Sequence, residues 1–319
     1  YPTTRALMSR KSASRPGMEE FLRVKLGEVG GRLIALPAKR GASVISSLVE
    51  ADGMVRIGTG SEGIEAGEEV EVELLRPLSE VRGNILMAGS HDNALDLLAS
   101  RVRERNREVS LSTSAVGSMA GIIAVKGGEA HMAGSHLLDP ETGDYNWSYI
   151  RRYLKGKKVV VVNFVQREQG ILLPPGNPKG ITSVADLARD DVTIVNRQSG
   201  AGTRVLLDHL LDGAKISTAD VAGYGRVETT HVAVAMAVAG ARADAGLGIY
   251  AAAKLLGLEF VSLGWERFDF IFPAEYWETP LIKKLIEVLR EPAFAASVEA
   301  LGGYKTDLTG QVMTPPENV

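Results

Sequence analysis

The spacing of apolar residues changes character near residue 80 of the chain. In the first part, Val70, Val72 and Leu74 alternate with glutamates, which is the two-residue period of a strand with one face in water. Other short apolar runs, separated by glycine-containing turns, predict strands at residues 21–26, 33–36, 44–49 and 54–57. We therefore predict a small all-β barrel or sandwich over residues 1–80.

From residue 83 onward, apolar strands alternate with amphipathic helices. The predicted strand at residues 85–88 leads into a helix that places Leu95, Leu98 and Val102 on one face. Further strands are predicted at residues 109–112, 130–133 and 192–195. Strands that alternate with helices in this way predict parallel sheets with right-handed crossovers.

Two long strands are predicted to connect two α/β units. The four valines at residues 159–162 indicate a strand buried on both faces, and the chain returns along residues 268–272 before two amphipathic helices. The fold class is therefore a two-lobed α/β domain over residues 83–319, preceded by the all-β domain. We expect lobe I at about 83–165 plus 265–319, and lobe II at about 166–264.

Residues 196–204 contain the strongest candidate for a binding site. Here a β-branched run, a Ser/Gly turn and an amphipathic stretch follow one another. The first N–H groups of a helix have no partner within the helix, and the helix dipole places partial positive charge there. Glycine permits close approach of a guest, and Arg204 adds a fixed charge. The turn predicts an anion site formed by Ser199, Gly200, Thr203 and Arg204, although an ordinary capped turn has the same spacing.

Other turns before helices offer similar donors. Ser90, beside His91, follows the first strand of lobe I, and Ser118 follows the second. Thr229 and Thr230 precede a helix of lobe II. A plain helix cap is the alternative for each of these hydroxyls. Helix starts of two facing lobes point into the cleft between them, so we expect these residues to share a ligand.

The remaining motifs are less specific. Tyr145 lies in a polar and aromatic loop that could close over a ligand or form a surface turn. His91 and His136 could line the cleft, whereas His131 is expected to be a hydrogen-bonded core residue. The histidines lack the spacing of a metal motif, and the glycines of residues 244–249 lack the lysine of a phosphate loop. No catalytic residue is assigned, and the chain is expected to bind rather than catalyse.

Composition narrows the classes of partner. The chain has 36 basic and 39 acidic residues, so there is no basic stripe for nucleic acid or anionic membranes. It contains no cysteine, which excludes disulfides and thiolate sites. No apolar run is long enough to span a bilayer, and the first residues do not form a secretory signal. We expect a cytoplasmic protein, and the start at Tyr1 rather than Met predicts a fragment or processed product.

Two resemblances to known families meet in this chain. Residues 14–24, 41–48 and 62–70 resemble the C-terminal β-domain of the MoeA family, which are molybdopterin molybdenumtransferases. Residues 89–92, 134–139, 196–204 and 243–248 resemble a periplasmic-binding-protein-like domain of type II, a fold shared by molybdate and tungstate binders and by effector domains of LysR-type regulators. The insertase site of the MoeA family lies upstream of its β-domain, so no insertase residue is carried over.

The resemblances imply a role in molybdenum cofactor biosynthesis. The leading expectation is that the two-lobed domain binds a small oxyanion, molybdate or tungstate, and works with molybdopterin-pathway proteins in a homodimer. One alternative is an accessory domain that assists metal insertion by the missing catalytic part. Another is a regulatory module that senses an effector. Hydroxyl and amide donors also suit sulfate, phosphate or a carboxylate, so residue types alone leave the guest open.

Overall fold

The computed structural model describes residues 1–38, 51–139 and 142–316, and the strand predicted at residues 44–49 lies outside them. The strands of the first part are β1 (Thr3–Met8), β2 (Ser12–Ala13), β3 (Glu20–Val29), β4 (Arg32–Pro37), β5 (Gly53–Ile57), β6 (Gly63–Ile64) and β7 (Glu69–Leu74). Five of them close a barrel in the order β1, β4, β3, β5 and β7. The alternating residues Val70, Val72 and Leu74 face its core, as predicted.

Strand β1 was not indicated by the pattern of the sequence. Half of its residues are polar or basic, but β1 pairs in parallel with β4 and antiparallel with β7. The strand exists because it completes the ladder between these two partners, which a local pattern does not reveal.

The remainder of the chain forms an α/β domain. Its strands are β8 (Asn84–Gly89), β9 (Ser110–Ala115), β10 (Met132–Ser135), β11 (Val159–Leu173), β12 (Ile194–Arg197), β13 (Val227–Glu228), β14 (Ala245–Ile249), β15 (Glu259–Pro273), β16 (Tyr304–Lys305) and β17 (Val312–Met313). Its helices are α1 (Leu78–Arg82), α2 (Asn93–Arg105), α3 (Ser118–Gly127), α4 (Trp147–Tyr153), α5 (Gly202–Gly213), α6 (His231–Ala239), α7 (Tyr250–Leu255), α8 (Ala274–Trp277), α9 (Pro280–Leu289) and α10 (Pro292–Leu301).

One sheet runs through both lobes of this domain. Its strand order is β13, β12, β14, β11, β15, β10, β8 and β9, and β16 and β17 also pair with β11. The long strands β11 and β15 are antiparallel partners along their whole length, which makes them the connection between the lobes. Strands β8, β9 and β10 are parallel in lobe I, and β12 is parallel to β13 and β14 in lobe II.

Apolar residues are buried within the lobes and between them. Leu95, Leu98 and Val102, predicted on one face of a helix, are buried on α2 in a cluster that also contains Ala235 and Ile249 of lobe II. Lobe II has a separate cluster that includes Ile194 and Leu207. Strands predicted at residues 109–112 and 192–195 begin later in the structure, because parallel pairing with β8 and β14 selects the register. None of the helices within the described ranges is long and apolar enough to cross a lipid bilayer.

His131 joins the barrel to lobe I. Its Nδ1 accepts a hydrogen bond from the Leu86 amide at 3.0 Å, so the neutral ring carries its proton on Nε2, 2.9 Å from the carbonyl oxygen of Glu28. Burial lowers the pKa of His131 to about 4. The expectation of a hydrogen-bonded core histidine is confirmed.

His131 should make stability depend on pH. Its pKa is about 4 when folded and near 6.5 when unfolded, so the unfolded state takes up a proton first as the pH falls. Above pH 6.5 the neutral ring makes its full contribution to the free energy of unfolding. This contribution is lost between pH 6.5 and 4, and the loss is about 2 kcal/mol at pH 5. Urea unfolding at pH 7.5 and pH 5 measures this loss. His131→Gln, which cannot titrate, should reduce the pH dependence by that amount, whereas the exposed His209→Gln should not. An unchanged slope in His131→Gln would contradict the prediction.

Candidate functional site

The starts of two helices from opposite lobes face each other across the cleft. A Cβ atom built on Gly117, the residue before α3 in lobe I, would have the Gly200 carbonyl oxygen of lobe II as its nearest neighbour, at 3.9 Å. A Cβ on Gly202, the first residue of α5, would lie 2.1 Å from Nδ1 of His136, which follows β10. Glycine is required at Gly202 because the backbone itself contacts the ring. The cleft is therefore closed in this structure.

Two serines form the lobe I side of the cleft. The Oγ atoms of Ser90 and Ser118 are 2.8 Å apart, and the amide of His136 donates to the Ser118 hydroxyl at 3.2 Å. Ser118 is completely buried at the first position of α3. The serine pair uses one of its two hydroxyl protons internally, so the other can be donated to a guest. The side chain of His91 is 30% exposed, and its Nε2 lies 4.0 Å from Asp96.

The candidates of lobe II divide into two groups. Thr203 is buried, and its hydroxyl oxygen accepts from Nε2 of Gln169 on β11 at 3.3 Å. Ser199 and Gly200 are exposed in the turn before α5. Thr230 caps α6, since its Oγ1 accepts from the Ala233 amide at 3.0 Å. Exposed Thr229 offers its carbonyl oxygen rather than its hydroxyl to a neighbouring arginine.

The guanidinium of Arg204 contacts Asp208 and Tyr224 rather than the other predicted site residues. Its Nε donates to Asp208 at 3.1 Å and to the Tyr224 hydroxyl at 3.1 Å, and its guanidinium lies 3.8 Å above the Tyr224 ring. These contacts hold the side chain along α5, so we do not include it in the group that faces the cleft. The i,i+4 spacing of Arg204 and Asp208 is a local signal that could have indicated this pairing.

A buried ionic network forms the floor of the cleft at the two connecting strands. Arg167 on β11 is fully buried, and it donates to Asp92 at 2.7 Å and to Glu266 on β15 at 2.6 Å. The Asp92 carboxylate also accepts from the hydroxyl of Tyr304 at 3.0 Å. Glu266 accepts from Nδ1 of His136 at 2.9 Å. Both carboxylates thus already have donors.

The charge states of this floor follow from its geometry. Burial alone would raise the pKa of Glu266, but Arg167 and His136 outweigh it and lower that pKa to about 2. Burial lowers the pKa of His136, so the ring is neutral near pH 7 and donates one proton to Glu266. The floor therefore contains an ionised Glu266, and Arg167 lies between it and the Asp92 carboxyl group.

The loop that contains Tyr145 is fixed to β15. Arg267 contacts Asp144 at 2.9 Å and donates to the Tyr145 carbonyl oxygen at 3.0 Å. Asn146, with φ 70°, is buried and donates to Asp269 at 2.9 Å. Burial and the charge of Glu266 raise the pKa of the Tyr145 hydroxyl, which indicates that the ring lies near the floor.

Two buried polar side chains of lobe II were missed by the sequence reasoning. Arg197, at the end of β12, is 6% exposed, and its Nη1 has no hydrogen-bond partner. His231, the first residue of α6, is 5% exposed, and its Nδ1 also lacks a partner. Arg197 lies within the segment singled out for its anion-binding pattern, but Arg204 was chosen there as the charge. The strand prediction ended at residue 195, so it gave no reason to place Arg197 at a strand end.

Arg167, Asp92 and Glu266 were also missed, because they carry no local motif. Within the described part of the chain, no three side chains of the metal-ligating types come together in a way that could hold a metal ion. The arrangement can donate several hydrogen bonds to a small guest from both lobes. The carboxylates are already paired, whereas Oε1 of Gln169, whose Nε2 contacts Thr203, is a buried acceptor without a partner.

Comparison with known families agrees with this architecture. The model of the PBP superfamily domain matches residues 99–290, and that of the MoeA C-terminal region (domain IV) matches residues 5–75. The uncharacterized protein YvgK of Bacillus subtilis (strain 168) is 34% identical over 248 residues, which cover 78% of this chain and 79% of that protein. An uncharacterized protein encoded in the 5′ region of a Clostridium pasteurianum 2Fe-2S ferredoxin gene is 30% identical over 111 residues, covering 34% of this chain and 98% of its own.

Solved structures show the same fold. A putative phosphate ABC transporter substrate-binding protein with bound phosphate, from Clostridium perfringens, has a TM-score of 0.54 at 13% identity, over 73% of this chain and 100% of its own. The tungstate ABC transporter structure from Geobacter sulfurreducens has a TM-score of 0.52 at 16% identity, over 68% of this chain and 98% of its own. The two-lobed fold after a small barrel, expected from the sequence, is confirmed.

Removal of the floor cation should be strongly destabilising. Arg167→Met leaves Asp92 and Glu266 buried without their common partner, so we expect a loss of about 3–5 kcal/mol in the free energy of unfolding at pH 7. Arg204→Met removes a partly exposed pair and ring contact, and should cost about 1 kcal/mol. Equilibrium urea denaturation measures both. Equal losses in the two variants would show that the floor network contributes no more than a surface pair.

Proposed function

Because the chain belongs to the PBP superfamily and carries a MoeA C-terminal domain in front, we propose that its cleft binds a small oxyanion. Molybdate or tungstate is the preferred guest in this proposal, and the protein acts in cytoplasmic molybdenum cofactor biosynthesis. The observation that carries the proposal is the convergence of helix starts from both lobes, seen at Gly117 and Gly200 and at Gly202 and His136. Amide groups at helix starts are free to bind an anion, and the helix dipoles favour negative charge there.

The proposed site takes donors from each lobe. Ser90 and Ser118 supply a hydroxyl from lobe I, and Thr203, the second residue of α5, supplies one from lobe II. Burying an anion is costly unless hydrogen bonds replace its lost water, and several charge-assisted bonds of about 1.5–3 kcal/mol each provide that replacement. In this proposal, four further residues border the site: His91, Tyr145, Ser199 and Gly200.

The carboxylates of the cleft favour a fully deprotonated guest, although Oε1 of Gln169 is a buried acceptor without a hydrogen-bond partner. Hydrogen phosphate carries an O–H that needs an acceptor, but Glu266 and Asp92 already accept from Arg167, His136 and Tyr304. Molybdate, tungstate and sulfate present acceptor oxygens only at neutral pH, so donors satisfy them completely. The larger tetrahedral anions are preferred in this proposal because a MoeA-type domain precedes the cleft. Two proteins of the same fold, one described with bound phosphate and one as a tungstate transporter, are compatible with this class of guest.

Calorimetric titration tests the proposed guest. Molybdate and tungstate should bind with micromolar dissociation constants or below, and hydrogen phosphate should bind at least about tenfold more weakly. Ser118→Ala should weaken tungstate binding by about 10- to 100-fold, the range for one charge-assisted hydrogen bond. Ser297→Ala, which removes a partly exposed hydroxyl from α10, is the control. The proposal fails if none of the tetrahedral anions produces heat or a thermal shift.

Closure of the lobes should require the glycine at the start of α5. In Gly202→Ala the new methyl group would lie against the His136 ring, so the closed conformation must open or distort. We expect tungstate to compact the wild type in small-angle X-ray scattering but not this variant, and affinity to fall about tenfold or more. Gly213→Ala, at the other end of α5, meets no atom within 4 Å and is the matched control. Normal compaction of Gly202→Ala would contradict the closed geometry.

Participation in cofactor synthesis needs a separate measurement. We expect a strain that lacks the full-length gene to need more external molybdate for a molybdoenzyme activity than the parent strain. Complementation with the Ser118→Ala variant should leave that requirement raised, while Ser297→Ala should restore it. Equal restoration by both variants would mean that the oxyanion site plays no part in the pathway.

A further inference from the structure

A second cavity, of about 220 Å³, lies at the junction of the barrel and lobe I. The side chains of its apolar wall come from β4, β8, the turn after β9 and α3. They are Leu36, Met87, Val116, Ala120, Ile123 and Ala124. Ile123 is 51% exposed, so the cavity opens to solvent. The cavity shares no residue with the cleft between the lobes, and a junction between two domains is a common position for a small-molecule site.

One polar side chain of this cavity is buried without a partner. Ser9, the residue after β1, lines the cavity and is 8% exposed, and its Oγ has no hydrogen-bond partner. The backbone amide of Ser9 is already occupied, since it donates to the Ala35 carbonyl oxygen at 3.0 Å. A buried hydroxyl without a partner costs free energy, and a guest that formed a hydrogen bond with it would remove that cost. The Ser9 hydroxyl therefore indicates a ligand in the cavity.

The second polar feature of the cavity is the carboxylate of Glu129, between α3 and β10. Its side chain is partly buried and forms no ion pair or hydrogen bond with the described residues, and burial raises its pKa with no neighbouring charge to lower it. Arg10, the basic residue of the wall, donates from Nη2 to the Pro37 carbonyl oxygen at 3.1 Å. An ionised carboxylate only accepts hydrogen bonds, so a guest that contacts Glu129 must supply donors, and a positive charge on them is favoured.

The volume of the cavity limits the guest to one ring with a short substituent. A cavity of about 150 Å³ is enough to bind benzene, so about 220 Å³ leaves room for a small polar group as well. A peptide would need a longer surface, because peptides are recognised through several side-chain pockets along an extended groove. A small cavity with an apolar wall and an unpaired carboxylate therefore fits a small organic cation.

We propose that the junction of the barrel and lobe I is a second ligand site, for a small cyclic or aromatic molecule that carries an amine or amidine group. The ring of the guest packs against the apolar wall, and its cationic N–H groups donate to Glu129. The Ser9 hydroxyl forms one further hydrogen bond with the guest. This site is separate from the oxyanion cleft, so the proposal does not rest on the proposed function.

Benzamidine and benzoate test the proposal, because they share one ring and are nearly equal in size but carry charges of +1 and −1. The full chain is labelled at the methyl groups of isoleucine and alanine, and NMR titration at pH 8 gives the location and the dissociation constant of each probe. The variants are Glu129→Gln, Ser9→Ala and Ala124→Leu, the last of which extends a side chain into the cavity. Glu104→Gln, which changes an exposed glutamate on α2 of the same lobe, is the matched control. Circular dichroism and thermal melting check that each variant is folded.

Benzamidine should shift the methyl signals of Ala120, Ile123 and Ala124 and bind with a dissociation constant of about 1 mM or below. Benzoate should bind at least about tenfold more weakly, because Glu129 repels it. We expect Glu129→Gln to weaken benzamidine binding about tenfold or more and Ser9→Ala about threefold or more.

The remaining variants separate a binding role from a structural one. Ala124→Leu should abolish benzamidine binding because it fills the cavity, and Glu104→Gln should leave the affinity unchanged. Because Glu129 has no partner to lose, its replacement by glutamine should not lower the melting temperature. If Ala124→Leu does not fold, the affinity of Glu129→Gln decides the question.

Three results would overturn the proposal. Absence of methyl shifts at Ala120, Ile123 and Ala124 would show that the cavity takes no such guest. Equal affinity for benzoate and benzamidine would remove the selection of positive charge. Wild-type affinity in Glu129→Gln or in Ser9→Ala would overturn the proposed recognition. None of these results affects the oxyanion cleft, which the tungstate and molybdate titrations test separately.

Discussion

The Arg167 guanidinium is the interaction on which the cleft depends. It lies on β11 opposite Glu266 on β15, the two strands that connect the lobes, and it also holds Asp92. Asp92 caps α2 by accepting from the Ala94 amide at 2.8 Å. One buried cation therefore fixes the facing strands and the start of a lobe I helix. A charge placed there is tolerated only because both its neighbours are ionised and within hydrogen-bond distance.

Contacts continue from this cation to the opposite lobe. Glu266 orients His136, and the His136 ring is the surface that the backbone of Gly202 approaches. Gln169 makes a second link, from β11 to Thr203. A buried apolar cluster also joins the lobes, because Ala235 and Ile249 of lobe II belong to the same cluster as Leu95 of lobe I. The relative position of the lobes therefore depends on this cluster, on the connecting strands and on the polar contacts. A guest that adds hydrogen bonds between the lobes would stabilise the closed form by its differential affinity for that form.

The barrel is attached through buried polar contacts with lobe I. Asn84 at the start of β8 donates to the Leu26 carbonyl oxygen at 2.7 Å and to the Asp52 carboxylate at 3.4 Å. His131 adds its two hydrogen bonds at the same junction. Because these contacts involve lobe I, motion of lobe II about β11 and β15 leaves them undisturbed. The barrel and the cleft between the lobes are thus joined through the lobe that carries Ser90 and Ser118.

Sequence alone determined the type of each part of the fold. Alternating residues predicted β7, helical periodicity predicted the buried face of α2, and Ser/Gly turns marked the helix starts at Ser118 and Gly202. These features depend on residues a few positions apart, so a local pattern reveals them. Only the tertiary structure decided which charged groups meet. Arg167 pairs with Asp92 and Glu266, which are 75 and 99 residues away in the sequence. Arg204 instead pairs with Asp208 four residues away, and Nη1 of Arg197 has no hydrogen-bond partner. Which carboxylate each arginine pairs with depends on which strands lie side by side and on which side chains the closed cleft buries. A short segment of sequence does not contain that information.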